Sequence, residues 1–170
     1  MIQVKDVVKS FDGNVVLDHV TATFEDGKVN MIIGQSGSGK TVLMKSMIGL
    51  HQVDGGEIVF DTRAGQQNLA GMTEKEVRLL HREVGMLFQG AALFDSMTVQ
   101  ENVMYPLEMF SDMTDKEKVE RARFCLERVN MPERAFGLMP SEISGGMQKR
   151  VAIARAIALN PKYLFCDEPN

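Results

Sequence analysis

The sequence contains few cysteines, no long apolar run and no excess of basic residues. Each of these absences argues against a class of protein. Two cysteines in 170 residues exclude a disulfide scaffold and fit a reducing compartment. No stretch approaches the roughly 18 consecutive apolar residues of a transmembrane helix, and the N-terminal MIQVKDVVKSFDG lacks the apolar block of a signal peptide. A net charge of −4 argues against a nucleic-acid module. We therefore expect a cytosolic-type chain with no nucleic-acid partner, whose membrane role, if it has one, comes through another subunit.

The apolar residues that are present are arranged mainly as short strand-like segments. The runs 2–8 and 15–24 alternate, carry β-branched residues and flank the turn SFDGN, which predicts an antiparallel hairpin. Further apolar runs predict strands at 29–33, 55–61, 84–88 and 163–166. Asn30 is the one polar residue inside the run VNMII at 29–33.

Helical signals lie between these strands and dominate the second half of the chain. The run TVLMKSMIGL after residue 40 has a helical pattern, and Thr73 with Glu76 forms a capping box that opens a helix to about residue 82. Residues 90–159 are mainly helical, with a second box at Thr114 and Glu117. Because strands and helices alternate, we predict the α/β class with a mostly parallel core sheet.

Residues 34–41, GQSGSGKT, match the phosphate-binding pattern G-x-x-x-x-G-K-[ST]. Glycines allow successive main-chain N–H groups to turn toward phosphate oxygens, and the following helix adds its positive N-terminal dipole. Lys40 would contact the β- and γ-phosphates, and the Thr41 hydroxyl would bind Mg²⁺. A chance match is expected in only about 1% of sequences with this composition. The loop also lies between a predicted strand and a predicted helix, so it predicts nucleotide binding.

Two adjacent carboxylates, Asp167 and Glu168, follow the apolar run YLFC. Open α/β sheets bind ligands at the carboxyl ends of their strands. We therefore assign Asp167 to the Mg²⁺ shell and Glu168 to the general base that polarises the attacking water. The alternative is a pair of solvated acids that begins a turn before Pro169.

Residues 143–150, ISGGMQKR, combine a potential helix cap at Ser144 with two glycines. GQSGSGKT, then Gln89, then ISGGM, then LFCDEP resemble, in this order, the motifs of the ATP-binding-cassette ATPases. The resemblance runs along the whole chain. It implies a P-loop NTPase core with a mostly parallel sheet, an N-terminal antiparallel β subdomain and an inserted helical subdomain. The expected boundaries within one domain are 1–89 for the β and phosphate-loop part, 90–159 for the helical part with the signature, and 160–170 for the last core strand.

The same resemblance implies a role for each motif residue. Phe11 stands where the family places an aromatic ring on adenine, although a hairpin residue is the alternative for it. The implied ATP-binding residues are Phe11, Gly34, Gln35, Ser36, Gly37, Ser38, Gly39, Lys40, Thr41 and Val42. The implied Mg²⁺ ligands are Thr41, Gln89 and Asp167, and the implied catalytic residues are Glu168, Gln89 and Lys40. The implied signature, which acts on the opposite subunit, is Ser144, Gly145, Gly146, Met147 and Gln148.

The family also implies partners and a location. We expect a homodimer with two ATP molecules between its subunits, bound to a membrane-spanning permease at the cytoplasmic face of the inner membrane. VGMLFQGAALFDSMTVQENVMYPL, LMPSEISGGMQKR and Met147 resemble the phospholipid-trafficking group that maintains lipid asymmetry. An amino-acid importer, an iron–sulfur-assembly ATPase of the same family and a small-molecule P-loop kinase are the alternatives.

The family continues beyond the acidic pair with an Asp loop at the dimer contact, a further strand and a histidine that contacts the γ-phosphate. His19, His51 and His81 lie too far upstream to be that histidine. We therefore expect these 170 residues to be a C-terminally incomplete domain that has no ATPase activity on its own.

Overall fold

The computed structural model describes residues 1–167, which form two compact units, Met1–His81 and a second that begins at Arg82. The first unit contains the strands β1 (Ile2–Phe11), β2 (Asn14–Phe24), β3 (Gly55–Thr62) and β4 (Gly65–Asn68), and the helices α1 (Lys40–Met47) and α2 (Glu74–Leu80). The second contains β5 (Val84–Leu87), α3 (Val99–Phe110), α4 (Asp115–Arg128), α5 (Gly145–Ala156) and β6 (Tyr163–Cys166). None of the helices in residues 1–167 combines the length and the hydrophobicity needed to cross a membrane.

The first unit is built on an antiparallel sheet in the order β2-β1-β3-β4. Ile2 pairs with Phe24 on one side and with Phe60 on the other, so β1 is a central strand. Val4, Ile58 and Phe60 are fully buried on one face of this sheet, as the alternating sequence requires. The predicted hairpin and the predicted strand at 55–61 are confirmed.

The predicted strand at 29–33 is wrong. This segment joins no ladder among the described residues, and its Val29, Met31 and Ile33 are 94%, 77% and 85% exposed. Asn30 supplies a local reason: its Nδ2 donates to the carbonyls of Glu25 and Lys28, and its Oδ1 accepts the Glu25 N–H. Asparagine side chains that bond to nearby main chain compete with ladder formation in this way.

The second unit packs three helices on a shared core and carries one parallel strand pair. Leu107 of α3, Leu126 of α4 and Val151 of α5 are fully buried in that core. β5 pairs with β6 in parallel, from Val84 opposite Tyr163 to Leu87 opposite Cys166. The α/β class is therefore confirmed, while parallel pairing within residues 1–167 is limited to these two strands.

The helices α2, α3 and α4 each begin with a capping box. The predicted boxes at Thr73 and Thr114 are confirmed, with Glu76 and Glu117 bonded back to the cap residues. A third box joins Thr98 to Glu101 at the start of α3. Its T-x-x-E pattern is visible in the sequence and was a missed signal.

Candidate nucleotide-binding site

The loop 34–39 leads from the exposed segment 29–33 into α1, and close contacts fix its path. A Cβ atom at Gly34 would lie 2.6 Å from the Ser38 Oγ. Gly39 has a φ of 89°, and a Cβ atom there would lie 3.1 Å from the Val16 carbonyl oxygen of β2. The loop therefore needs glycine at residue 39, for a left-handed turn against the sheet, whereas a side chain at residue 34 would require only the Ser38 hydroxyl to move.

The N-terminus of α1 is prepared for an anion. Gly39 caps it without a side-chain hydrogen bond, and its first turn contains no acidic residue. The Lys40 Nζ lies 3.0 Å from the Gly34 carbonyl oxygen and 2.8 Å from that of Gln35, so its ammonium is folded back over the loop. The helix dipole at this N-terminus and this ammonium together fit a chain of phosphates. Thr41 and Val42 follow in the first turn, half-buried.

Phe11, the candidate for adenine, lies at the end of β1 in the same unit as the loop, with 38% of its surface exposed. Its ring meets the His51 ring edge-on at 5.3 Å, and the Lys9 ammonium lies 5.2 Å from its centroid. The Asp54 carboxylate holds the end of β1 next to Phe11, because it accepts hydrogen bonds from the Lys9 Nζ at 2.8 Å and from the Ser10 N–H at 2.6 Å. The bonds from Lys9 and then Ser10 lower the pKa of Asp54 to about 2. Sequence reasoning did not find the roles of His51 and Asp54, since no motif marks them.

Gln89 and Asp167 follow the carboxyl ends of the paired parallel strands β5 and β6 in the second unit. Gln89 lies two residues after β5, and Asp167 follows β6 directly, with its N–H donating to the Leu87 carbonyl at 3.0 Å. Asp167 therefore follows a strand end, where the sequence places the acidic pair, while Glu168 lies outside the described residues. The Asp167 carboxylate and the Gln89 amide oxygen are oxygen donors, the kind that Mg²⁺ requires.

The segment after Gln89 has an unusual main chain. Gly90, Ala91 and Ala92 all have positive φ, of 77°, 67° and 46°. For alanine this conformation costs about 1–3 kcal/mol per residue unless the surroundings impose it. No feature of the sequence QGAAL announces this geometry, so it was not predicted.

The signature residues form the start of α5. The Ser144 hydroxyl accepts from the Met147 N–H at 3.3 Å and caps the helix, as the sequence indicates. Gln148 donates to the Pro140 carbonyl at 2.8 Å, which fixes the helix start to the preceding loop. Gly145 and Gly146 are exposed, and a Cβ atom on either would meet nothing within 4 Å. The packing described within the chain therefore gives no reason for glycine at these two positions.

Comparison with known proteins identifies the family of the chain. Residues 17–170 match the sequence model of the ABC transporter family. Over 171 residues the chain is 40% identical to the glutamine transport ATP-binding protein GlnQ of Escherichia coli, covering 99% of this chain and 68% of that protein. It is 38% identical over 168 residues to the methionine import ATP-binding protein MetN of Clostridium acetobutylicum, covering 99% of this chain and 51% of that protein. The chain thus spans about half the length of its MetN relative.

A solved structure shares the fold. The dimeric post-hydrolysis structure of the ATP-binding cassette MJ0796, bound to ADP and Pi, superposes with a TM-score of 0.90 at 31% identity, covering 100% of this chain and 75% of that one. The predicted P-loop NTPase fold is confirmed by this likeness. ATP is the nucleotide of such cassettes, and Mg²⁺ is their usual ion. On its motifs, its fold and these relatives, the chain belongs to the ABC transporter family.

Proposed function

We propose that this chain binds ATP with Mg²⁺ and hydrolyses it to power a membrane transporter. The observation that carries the proposal is the loop 34–41, in which Gly39 caps α1 without a side-chain hydrogen bond and the Lys40 ammonium is folded back onto the carbonyls of Gly34 and Gln35. The P-loop kinase alternative is set aside, because the chain belongs to the ABC transporter family. The domain boundaries at 89 and 159 and the individual roles of the site residues remain predictions.

Each residue has a specific task in this proposal. Lys40 exchanges the carbonyls of Gly34 and Gln35 for the β- and γ-phosphates, while the N–H groups of the loop hold the phosphate oxygens. Glu168 accepts a proton from the attacking water, and Gln89 would hold Mg²⁺ with Thr41 and Asp167 and respond to the γ-phosphate. Mg²⁺ supplies charge neutralisation on the phosphates when it is bound. Phe11 offers its exposed ring surface to adenine.

The glycines of the signature support a homodimer. Glycine in the first turn of a helix costs about 1 kcal/mol relative to alanine, and the described packing of this chain does not require it at residues 145 or 146. An approaching group from outside the chain would require it. We infer that this group is the nucleotide of a second subunit, so that Ser144 and its neighbours complete the partner's site. The dimeric state of MJ0796 is in line with this inference.

The proposed membrane partner is a permease at the cytoplasmic face of the inner membrane. The segment just after Gln89, with an exposed ring at Phe94 and flanked by that of Phe88, is the surface that we propose for its docking. For the transported substrate, the GlnQ and MetN names favour amino-acid import. The resemblance of residues 84–107 and of Met147 to lipid-asymmetry ATPases favours phospholipid trafficking, and iron–sulfur assembly has no comparable support.

Lys40 provides the test of nucleotide binding. Lys40→Ala should weaken ATP binding by about 1.5–3 kcal/mol, the scale of a charge-assisted hydrogen bond. Lys45→Ala is the matched control, because Lys45 lies in the last turn of the same helix. Calorimetry should show a weaker Kd for the first variant alone. Equal ATP affinity of Lys40→Ala and Lys45→Ala would remove the loop as the binding site.

The substrate classes are separated by transport itself. The full-length protein and its permease, reconstituted in vesicles, should move either labelled amino acid or labelled phospholipid in an ATP-dependent way. Amino-acid uptake without lipid movement would exclude the phospholipid assignment, and the reverse result would exclude the importer.

A further inference from the structure

The turn formed by residues 90–92, directly after Gln89, is strained and is held by a side chain from another element. The Ala92 N–H donates to the Gly90 carbonyl at 2.8 Å around Ala91, whose φ is 67°. A hydrogen bond from the N–H of residue i+2 to the carbonyl of residue i, around a central residue with φ near +75°, is typical of the rare, strained form of γ-turn. Such conformations persist where the surrounding structure imposes them.

Arg155 of α5 contacts this turn. One guanidinium nitrogen, Nη2, donates to the Ala91 carbonyl at 2.9 Å, and the guanidinium carbon lies 5.6 Å from the centroid of the Phe94 ring. Partial burial lowers the pKa of Arg155. One helical turn earlier, Ala152 packs against Ala91 and Leu87 in a small buried cluster. The turn therefore lies on α5 through an apolar contact and a directed hydrogen bond.

The remainder of the segment is held by a different helix. The buried Asn102 of α3 accepts the Phe94 N–H at 2.8 Å and donates to the carbonyls of Phe94, Met97 and Thr98 at 3.0–3.1 Å. Residues 94–98 are thus fixed to α3. Any displacement of Gln89 relative to this anchor must be taken up at residues 90–93, where Arg155 acts.

We propose that Arg155 is a positioning residue, which fixes the strained turn 90–92 and so ties Gln89 to the signature helix α5. The proposal rests on the proposed function, because Gln89 matters only if the chain hydrolyses ATP. Ser144 caps the helix that carries Arg155, so a shift of α5 when the signature engages the partner's nucleotide would move the turn next to Gln89. Arg155 touches neither nucleotide nor water in this proposal.

The test compares two arginines of α5 in the full-length protein. Arg155→Met removes the tie, whereas Arg150→Met is the control, because Arg150 bonds to the Asn130 carbonyl and is exposed. By hydrogen exchange, the Ala92 amide should exchange about tenfold faster in Arg155→Met and within about twofold of the parent in Arg150→Met. In Arg155→Met, kcat should fall about tenfold while the KM for ATP stays within about twofold, since the turn acts on Gln89 and not on the phosphate loop.

Two further variants keep the proposal falsifiable. Arg155→Lys retains the positive charge but lacks the planar guanidinium that bonds to Ala91 while stacking on Phe94. The Ala92 amide should therefore again exchange faster than in the parent, but by a smaller factor. This variant provides the test if Arg155→Met does not fold. Ala92→Gly relieves strain at an exposed position and should restore part of the lost kcat in the Arg155→Met background. Equal Ala92 amide exchange rates and equal kcat values in the Arg155→Met and Arg150→Met variants would contradict the proposal that Arg155 holds the turn. A parent protein without ATPase activity would overturn the proposed function instead, while hydrogen exchange would still report on the tie.

Discussion

Two apolar segments of this chain, VNMII at 29–33 and VGML at 84–87, have the same strand-like pattern but different structures. Each leads toward a motif residue, the first toward the phosphate loop and the second toward Gln89. Residues 84–87 form β5, and their Gly85 and Leu87 are buried beside β6. Residues 29–33 join no described ladder and expose Val29, Met31 and Ile33.

The difference shows what a local pattern does and does not specify. A helix satisfies its main-chain hydrogen bonds within itself, so a capping box and a periodic pattern predict it well. A strand satisfies them on a neighbour, so its prediction depends on residues far away in the sequence. β5 has its neighbour 79 positions on, where Val84 pairs with Tyr163. At 29–33 the Asn30 side chain instead bonds to the preceding turn.

The largest predicted effect is a loss of stability on truncating a core residue of the second unit, compared with truncating a residue of the exposed segment 29–33 in the first unit. Leu107→Ala should destabilise the protein by about 2–5 kcal/mol, because Leu107 is fully buried between helices. Ile33→Ala should change stability by less than about 0.5 kcal/mol, because the side chain is 85% exposed. Urea unfolding midpoints measure both. Similar losses for the two variants would mean that residues 29–33 are packed in solution.

An intermediate effect is expected when the two runs themselves are changed. A Cβ atom on Gly85 would lie 2.3 Å from the Ala156 carbonyl oxygen, so Gly85→Ala should destabilise the second unit by about 1–3 kcal/mol. In the first run, Asn30→Ala removes only exposed turn bonds, and we expect a loss below about 1 kcal/mol. Thermal unfolding of both variants checks the ranking, which would be refuted by a larger loss for Asn30→Ala.

The smallest expected effect is the pH dependence of two side chains that hydrogen-bond to main-chain groups, one charged and one neutral. Asp54 holds Ser10 and Lys9 in the first unit, with its pKa lowered to about 2, and Asn102 holds residues 94–98 in the second. A lowered carboxyl pKa means that the Asp54 tie is intact above pH 4 and is lost as the pH falls through about 2. Asn102 does not titrate. The Ser10 amide resonance should therefore shift with a midpoint near pH 2, while the Phe94 amide shows no transition from its own tie.

Asp54→Asn is the control for this titration. It should abolish the transition at Ser10, and a midpoint near the ordinary carboxyl value of 3.8 in the parent would contradict the tie.

The motif residues were predictable because each motif is a short continuous stretch of sequence with a recognisable pattern. GQSGSGKT placed Lys40 at a helix N-terminus, and ISGGM placed Ser144 at a cap, both as the structure has them. Asp54, Asn102 and Arg155 were not predictable, since each acts on a main-chain group at least 4 positions away and in most cases on another element. The left-handed Ala91 and Ala92 were hidden for the same reason, because packing against α5 and not alanine itself favours that conformation.

In the proposed function the phosphate loop of the first unit binds ATP and the signature of the second unit completes the partner's site. One pair of variants tests this division most directly. In the full-length protein, ATP affinity is measured by calorimetry on monomeric samples, together with ATP hydrolysis. Lys40→Ala should weaken ATP binding about tenfold or more. Ser144→Arg should leave the Kd for ATP within about twofold of the parent and abolish hydrolysis, because the signature acts on the opposite subunit. Loss of monomer ATP binding in Ser144→Arg to the same degree as in Lys40→Ala would contradict the account.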